Sequence, residues 1–173
     1  MNPIDRALRG DSQAMQELYR QHERHWFRLC LRYARNRSEA QDMMQEGLMM
    51  VFRDLHQFDA ERGAFRSWSN RVMVNAALRF LKKHQWQLSF EDLEAVGQEV
   101  DRSASALEKL SAKEITRLIQ QLPTGYRVVF NLYEVEGYAH REIAQLLNIS
   151  VGTSKSQLSK AKKMLRQSIE SLL

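Results

Sequence analysis

Apolar residues recur at three- and four-residue steps along nearly all of the chain, and few stretches alternate apolar with polar positions. That period is helical, and it predicts an all-α protein. The first helix opens at Asp11 or Ser12, either of which can cap free amides. It runs to about Arg35 on a stripe of Met15, Leu18, Tyr19, Trp26, Cys30, Tyr33 and Ala34. Asn36-Arg37 breaks the pattern, and Ser38-Glu39-Ala40-Gln41 has the form of a capping box. The helix it opens turns Ala40, Met44, Leu48, Val51, Phe52 and Leu55 inward and shows Asp42, Gln45, Glu46 and Met49 on its other face. Residues 56–63 read as a loop ending at Gly63, and Phe65, Trp68, Val72, Ala76 and Phe80 mark a third helix.

In the second half, Leu107, Leu110, Ile115, Leu118, Ile119 and Leu122 predict a helix from about Ala106 that Pro123 stops. Another follows from about Thr124, with Tyr126, Val129, Phe130 and Tyr133 on its apolar side and Gly137 at its end. Ile143, Ala144 and Leu147 then form a short apolar face, Asn148-Ile149-Ser150 breaks the period, and a last helix begins near Val151. Val151, Ser154, Leu158, Ala161 and Leu165 recur on its inner side. A short helix, a tight turn and a longer helix are the plan of a helix-turn-helix. Small αα-hairpins also occur in proteins that never touch DNA. Three features favour DNA here: the small Ala144 where two helices must approach, the turn at Asn148, and one-sided charge. Between positions 151 and 166 stand five cations and no carboxylate, and Lys155, Ser156, Ser159, Lys160, Lys162 and Lys163 share the outer face.

At 173 residues the chain is long enough for one domain or two small ones. A shift in composition decides for two: between positions 89 and 101 come Glu91, Asp92, Glu94, Glu99 and Asp101 with no cation and little helical period. We read residues 1–85 and 107–173 as two small helical domains and residues 86–106 as a flexible acidic linker. Such a linker can be merely solvated, or can lie in a basic channel of a larger partner. Seven Gly and two Pro fit a chain poor in sheet and turn. The net charge of +5 suits a polyanionic partner, although its distribution matters more than its sum. The single Cys30 excludes an internal disulfide and agrees with a reducing cytoplasm. No apolar run reaches the roughly 18 residues of a membrane span, and the N-terminus lacks the pattern of a signal peptide. The expected location is therefore cytoplasmic, without membrane insertion.

Charge is also one-sided in the first half. Between positions 62 and 83 stand six cations (Arg62, Arg66, Arg71, Arg79, Lys82, Lys83) and no carboxylate, with Asn70, Asn75 and several aromatic residues among them. Core packing accounts for Trp68 and Phe80. Cations and side-chain amides beside aromatic rings are what a single-strand or melted-DNA surface needs. Asp42 and Glu46 lie one turn apart, as in some catalytic or metal-binding pairs, but no His-ligand motif, Gly-rich phosphate loop or nucleophile accompanies them. They read as a solvated face or a docking face for a basic partner. His22, His25 and Cys30 leave a common helix face and have no second cysteine to complete a zinc site. We expect no catalytic residue, no metal and no cofactor. Arg127, near the start of its helix, is a candidate phosphate contact, with a surface ion pair as the alternative.

Four segments, in order and spanning about residues 11–168, carry a resemblance to one family. Asp42-Met43-Met44-Gln45-Glu46, Phe65-x-x-Trp68-x-x-Arg71-Val72-x-x-Asn75, Leu122-Pro123-x-x-Tyr126-Arg127-x-Val129-Phe130 and the stretch from Glu142 through Asn148 to Ser156 resemble the sigma-70 superfamily. Within it the chain is most similar to the compact extracytoplasmic-function (ECF) RNA polymerase sigma factors of bacteria. The resemblance implies a protein that binds core RNA polymerase, directs it to −10 and −35 promoter elements and supports promoter melting, with no bond chemistry of its own. It implies that Asp42, Gln45 and Glu46 hold core polymerase. The loop from Gln57 to Gly63 with Asn70, Arg71 and Asn75 would take flipped-out −10 bases, and Arg79 would add a further contact. Lys155, Ser156, Ser159 and Lys160 would meet the −35 duplex, with Arg127 and Arg141 against its backbone. An anti-sigma factor is a further partner that many such proteins have. Four residues depart from the family's usual choices: Ser69, Ser154, Gln157 and Ser159. Two rival classes stay on the table from the residues alone: a free-standing dimeric regulator using the same helix-turn-helix, and an enzyme such as a recombinase with a helix-turn-helix tail.

Overall fold

The computed structural model describes residues 2–84 and 110–172. Those residues are helical or connecting turns, with no strand among them, as the period predicts. They fall into two compact units, one within Met1–Trp86 and the other within Gln87–Leu173. The predicted acidic linker, and the start of the helix expected near Ala106, lie outside the described residues.

The first unit begins with a helix too short for periodicity to reveal, α1 (Pro3–Leu8), capped by the Asn2 side chain and opened by Pro3. It tucks Ile4 and Ala7 inward, and Arg6 reaches Asp11 at 2.7 Å. That guanidinium, with the Ala14 and Gln13 amides, holds the Asp11 carboxyl below its ordinary range. Asp11 is also the N-cap of α2 (Ser12–Tyr33). The cap of α3 (Arg37–Arg53) is Asn36, two residues before the expected Ser38. Asn36 Oδ1 accepts the Glu39 amide at 2.9 Å, and the Glu39 carboxylate accepts the Arg35 amide, so this reciprocal pair starts the helix a half-turn earlier. Residues 56–63 contain two short 3-10 turns, Leu55–Gln57 and Ala60–Arg62, before α4 (Phe65–Lys83).

Helices α2, α3 and α4 close around Trp26, Leu29, Cys30, Met43, Val51, Met73 and Ala77, each of them fully buried. Gly47 lets α3 and α4 approach: a Cβ there would lie 2.5 Å from Met73 Sδ. Trp26 donates its indole N–H to Ser69 Oγ at 3.2 Å, with both residues fully buried. Ser69 is thus a packing choice, since an apolar residue there would orphan the indole. Replacing Ser69 with Ala should cost about 1–3 kcal/mol. Urea unfolding followed by Trp fluorescence checks this, and an unchanged midpoint would refute it.

The second unit contains α5 (Ala112–Gln121), α6 (Thr124–Phe130), a π-turn over Asn131–Val135, α7 (His140–Leu147) and α8 (Val151–Glu170). Ser111 and Glu114 form a capping box at α5. The face expected for α6 is shifted. Val128, Val129 and Leu132 are buried while Tyr133 is 37% exposed. The cause is local: the Asn131 side-chain amide donates to the Arg127 carbonyl at 2.8 Å, and Glu136 N reaches Asn131 O at 2.9 Å across a wider turn. The extra residue in that turn rotates the side chains beyond it, and Tyr133 stacks on the His140 ring at 4.4 Å.

Among the described residues, no helix is long and apolar enough to cross a membrane.

Candidate nucleic-acid interface

In the second unit the turn between α7 and α8 forms because Asn148 adopts the left-handed conformation (φ 54°, ψ 51°), which Asn tolerates better than most residues. Ile149 N closes on Ala144 O at 3.0 Å, and Ser150 caps α8 through the Thr153 amide. Ile143, Ala144, Leu147, Leu158 and Ala161 are buried where the two helices meet. Ser154 is buried too, and its hydroxyl lies 2.9 Å from His140 Nδ1. Burial, then the Lys155 and Lys162 charges, push the His140 pKa down, so the ring favours its neutral form beside that hydroxyl.

Lys155, Ser156, Ser159 and Lys160 stand at i, i+1, i+4 and i+5 on α8, one continuous face. Lys155 is exposed and the other three are half-buried. Arg141 is exposed in the first turn of α7. Lys162, expected on the same outer face, instead pairs with Glu134 at 2.6 Å. One expectation for α8 is corrected. Val151 is exposed, because it stands in the first turn, where the helix emerges from its cap. Gln157 is only 2% exposed, so it faces the core and not a groove.

Arg127 also requires correction. It is 1% exposed, and its guanidinium donates to the Gln120 and Leu122 carbonyls at 3.0 Å each and to Thr124 Oγ1 at 3.3 Å. Those carbonyls belong to the C-terminal end of α5 and the turn beyond it, where helical acceptors lack amide partners. Arg127 closes that end from inside the unit and does not offer itself to a phosphate.

In the first unit, α4 contains no acidic residue. Arg71, Asn75 and Arg79 succeed one another at four-residue steps, all exposed. Asn70 is half-buried, and its Oδ1 lies 2.8 Å from His25 Nε2. His25 Nδ1 in turn lies 3.0 Å from Arg66 Nη2. Sequence reading missed this contact, since 45 residues separate His25 from Asn70. Below α4, Phe58, Phe65 and Trp68 pack ring to ring with centroids 5.5–5.7 Å apart. Trp68 therefore anchors the 56–63 segment against α4. His22 stacks on Trp26 at 5.3 Å, and burial, then His25 and Arg66, lower its pKa.

On α3, Asp42 and Gln45 are exposed and Glu46 is half-buried, with Met49 at i+7 from Asp42 and 68% exposed. The stripe combines carboxylates with an uncovered apolar side chain. Glu46 meets Lys83 at 3.5 Å, a loose pair at the surface. Cys30 lies fully buried, and burial pushes its thiol up to about 12. Among the described residues, no three His, Cys, Asp or Glu side chains gather as a metal site.

Two helical units, each with a basic face and one built on a helix-turn-helix, define a nucleic-acid-binding protein with two contact surfaces. Comparison with known proteins narrows this. The family model for sigma-70 region 2 matches residues 18–87, and that for sigma-70, region 4 matches residues 112–165. Over 181 residues the chain is 27% identical to the RNA polymerase sigma-H factor of Pseudomonas aeruginosa, covering 98% of this chain and 93% of that protein. It is 26% identical to the ECF RNA polymerase sigma-E factor of Escherichia coli K12, covering 98% of this chain and 94% of that protein. In fold it resembles the sigma factor RpoE of Bartonella quintana, solved in complex with the anti-sigma factor NepR, with TM-score 0.54 and 15% identity over 88% of this chain and 94% of that one. The chain belongs to the sigma-70 family, as an extracytoplasmic-function member.

Proposed function

We propose that the chain is an initiation factor that binds bacterial core RNA polymerase, brings it to paired −10 and −35 elements and holds the −10 segment open, without bond chemistry of its own. The observation that carries this reading is the order of two basic helical faces, α4 and then α8, matched in the same order by sigma-70 regions 2 and 4. Residues 1–85 form the melting and polymerase-binding domain, residues 107–173 the −35 domain, and residues 86–106 the acidic connection between them. Asp42, Gln45 and Glu46, with the exposed Met49, dock on polymerase. Asn70, Arg71, Asn75 and Arg79 take the −10 strand. Lys155, Ser156, Ser159, Lys160 and Arg141 meet the −35 duplex. Arg127, buried as it is, stands outside that set. The work is done in the cytoplasm, and an anti-sigma factor is the second protein partner, as in the Bartonella complex.

The mechanism divides the labour between the two units. Phosphate contacts from α8 set register, and its base-edge contacts select sequence. Unstacked bases held along α4 each contribute about 1–3 kcal/mol to opening. Each surface alone is weak, and joining both to polymerase raises the effective concentration of the second contact once the first has formed. Fluorescence anisotropy on a promoter fragment should show tight binding with core polymerase present and weak binding by the chain alone. Tight binding without polymerase would favour a free-standing regulator. Lys160→Ala should weaken binding of the complex and flatten its salt dependence by roughly one unit of log–log slope. A loss confined to one base pair would make Lys160 a base reader instead.

A further inference from the structure

Asn70 is not a free amide, and the direction of its hydrogen bond is set two residues away in the network. Arg66 Nη2 lies 3.0 Å from His25 Nδ1. A guanidinium can only donate, so Nδ1 must hold a lone pair, and the imidazole proton sits on Nε2. Nε2 lies 2.8 Å from Asn70 Oδ1, so the ring donates and the amide oxygen accepts. The chain of donors runs one way, from Arg66 through His25 to Asn70. It takes one of the two lone pairs of the amide oxygen, fixes which end of the amide is oxygen, and leaves Nδ2, with its two N–H groups, as the end not bonded to His25.

We infer that His25 is a positioning residue that fixes the Asn70 amide, so that it reads the opened strand chiefly through its Nδ2 donors. This rests on the proposed role of Asn70 as a −10 contact. An unrestrained Asn recognises adenine with both ends of its amide, the oxygen accepting from N6 and the nitrogen donating to N7. With one lone pair of its oxygen taken by His25, and the amide unable to turn without losing that bond, Asn70 makes that pair less well. It favours a base edge that presents adjacent acceptors, such as O2 and N3 of cytosine or O6 and N7 of guanine, and it discriminates against adenine. Arg66 contributes twice, as a cation on the basic face and as the group that fixes the histidine tautomer.

The test compares base preferences, which a purely structural role would not move. Holoenzyme reconstituted from the full chain and bacterial core polymerase is presented with promoter fragments randomised across the −10 segment, and the transcribed molecules are sequenced. Against wild type, His25→Phe keeps a ring in place but drops both hydrogen bonds. It should raise the relative use of adenine at one position by about fivefold or more. His25→Gln can accept from Arg66 and donate to Asn70 across a similar span, and should keep the wild-type profile. Asn70→Ala should flatten preference at that same position. If Asn70→Ala changes the profile and His25→Phe does not, the positioning role falls and the −10 reading of Asn70 stands. If Asn70→Ala leaves every position unchanged, Asn70 is not a base contact and both fall. A His25→Phe effect that lowers activity uniformly, or a His25→Gln profile shifted like that of His25→Phe, would also overturn the inference.

Discussion

Arg127→Met should destabilise the second unit by about 3 kcal/mol, because it removes a buried guanidinium and strands the acceptors it serves. Met keeps an apolar stem of similar length, so the loss isolates the hydrogen bonds to Gln120 O, Leu122 O and Thr124 Oγ1. These bonds fasten the end of α5 to α6, and α8 packs against both. Promoter binding should therefore fail on warming, as the unit melts, while the salt slope measured below the transition stays that of wild type. Calorimetry and salt titration together separate the two possibilities. Unchanged stability with a shallower salt slope would return Arg127 to the phosphate contact that its place in the sequence suggests.

The second large effect concerns assembly. Glu46→Lys should weaken binding to core polymerase by roughly 30-fold or more, the scale on which charge reversal acts at a packed interface. Its effect on folding should be small. The Glu46–Lys83 pair is long at 3.5 Å, with the lysine exposed and the glutamate half-buried at the surface, and such pairs contribute about 0–1 kcal/mol. Size-exclusion chromatography with core polymerase reads the first effect and far-UV circular dichroism the second. Co-elution equal to wild type would remove Glu46 from the docking face, and a lost helical signal would show that its role is structural.

The helices were legible where burial keeps a simple period. Leu18, Trp26, Cys30 and Tyr33 on α2, the start of α4 at Phe65 and the break at Asn148 stand in the structure where the sequence places them, while Met15 and Tyr19 are half-buried and Ala14 and Leu29 are buried beside the stripe. Three kinds of feature were not legible. The first is local capping: Asn36, Ser38 and Glu39 offer two overlapping starts, and only the geometry of the Arg35 and Glu39 amides selects between them. The second is the π-turn at Asn131, where one side chain bonding to the Arg127 carbonyl rotates the remaining face by a residue. Period arguments carry a constant 3.6 residues per turn through such a point and so place Tyr133 inside.

The third is the buried polar residue. Long cations are normally read as surface, and nothing in the sequence shows that Arg127 faces carbonyls. Ser69 and Ser154 depart from the family's usual choices, yet each satisfies a polar ring nitrogen inside its own unit, Trp26 Nε1 and His140 Nδ1. Gln157, another of the departures, points to the core. The basic faces themselves were legible, because charge asymmetry along a helix needs no tertiary information. The His25–Asn70 contact was not, because it joins two helices at positions 45 residues apart.

In this protein the two basic surfaces act together, through polymerase, to start transcription: that is the core of the proposed function. Run-off transcription mapped genome-wide, with bacterial core polymerase and the purified chain, puts it to the sharpest trial. The expected result is a set of start sites that depend on the added chain and share two spaced elements, one for each unit. The absence of any start site dependent on the chain would contradict it.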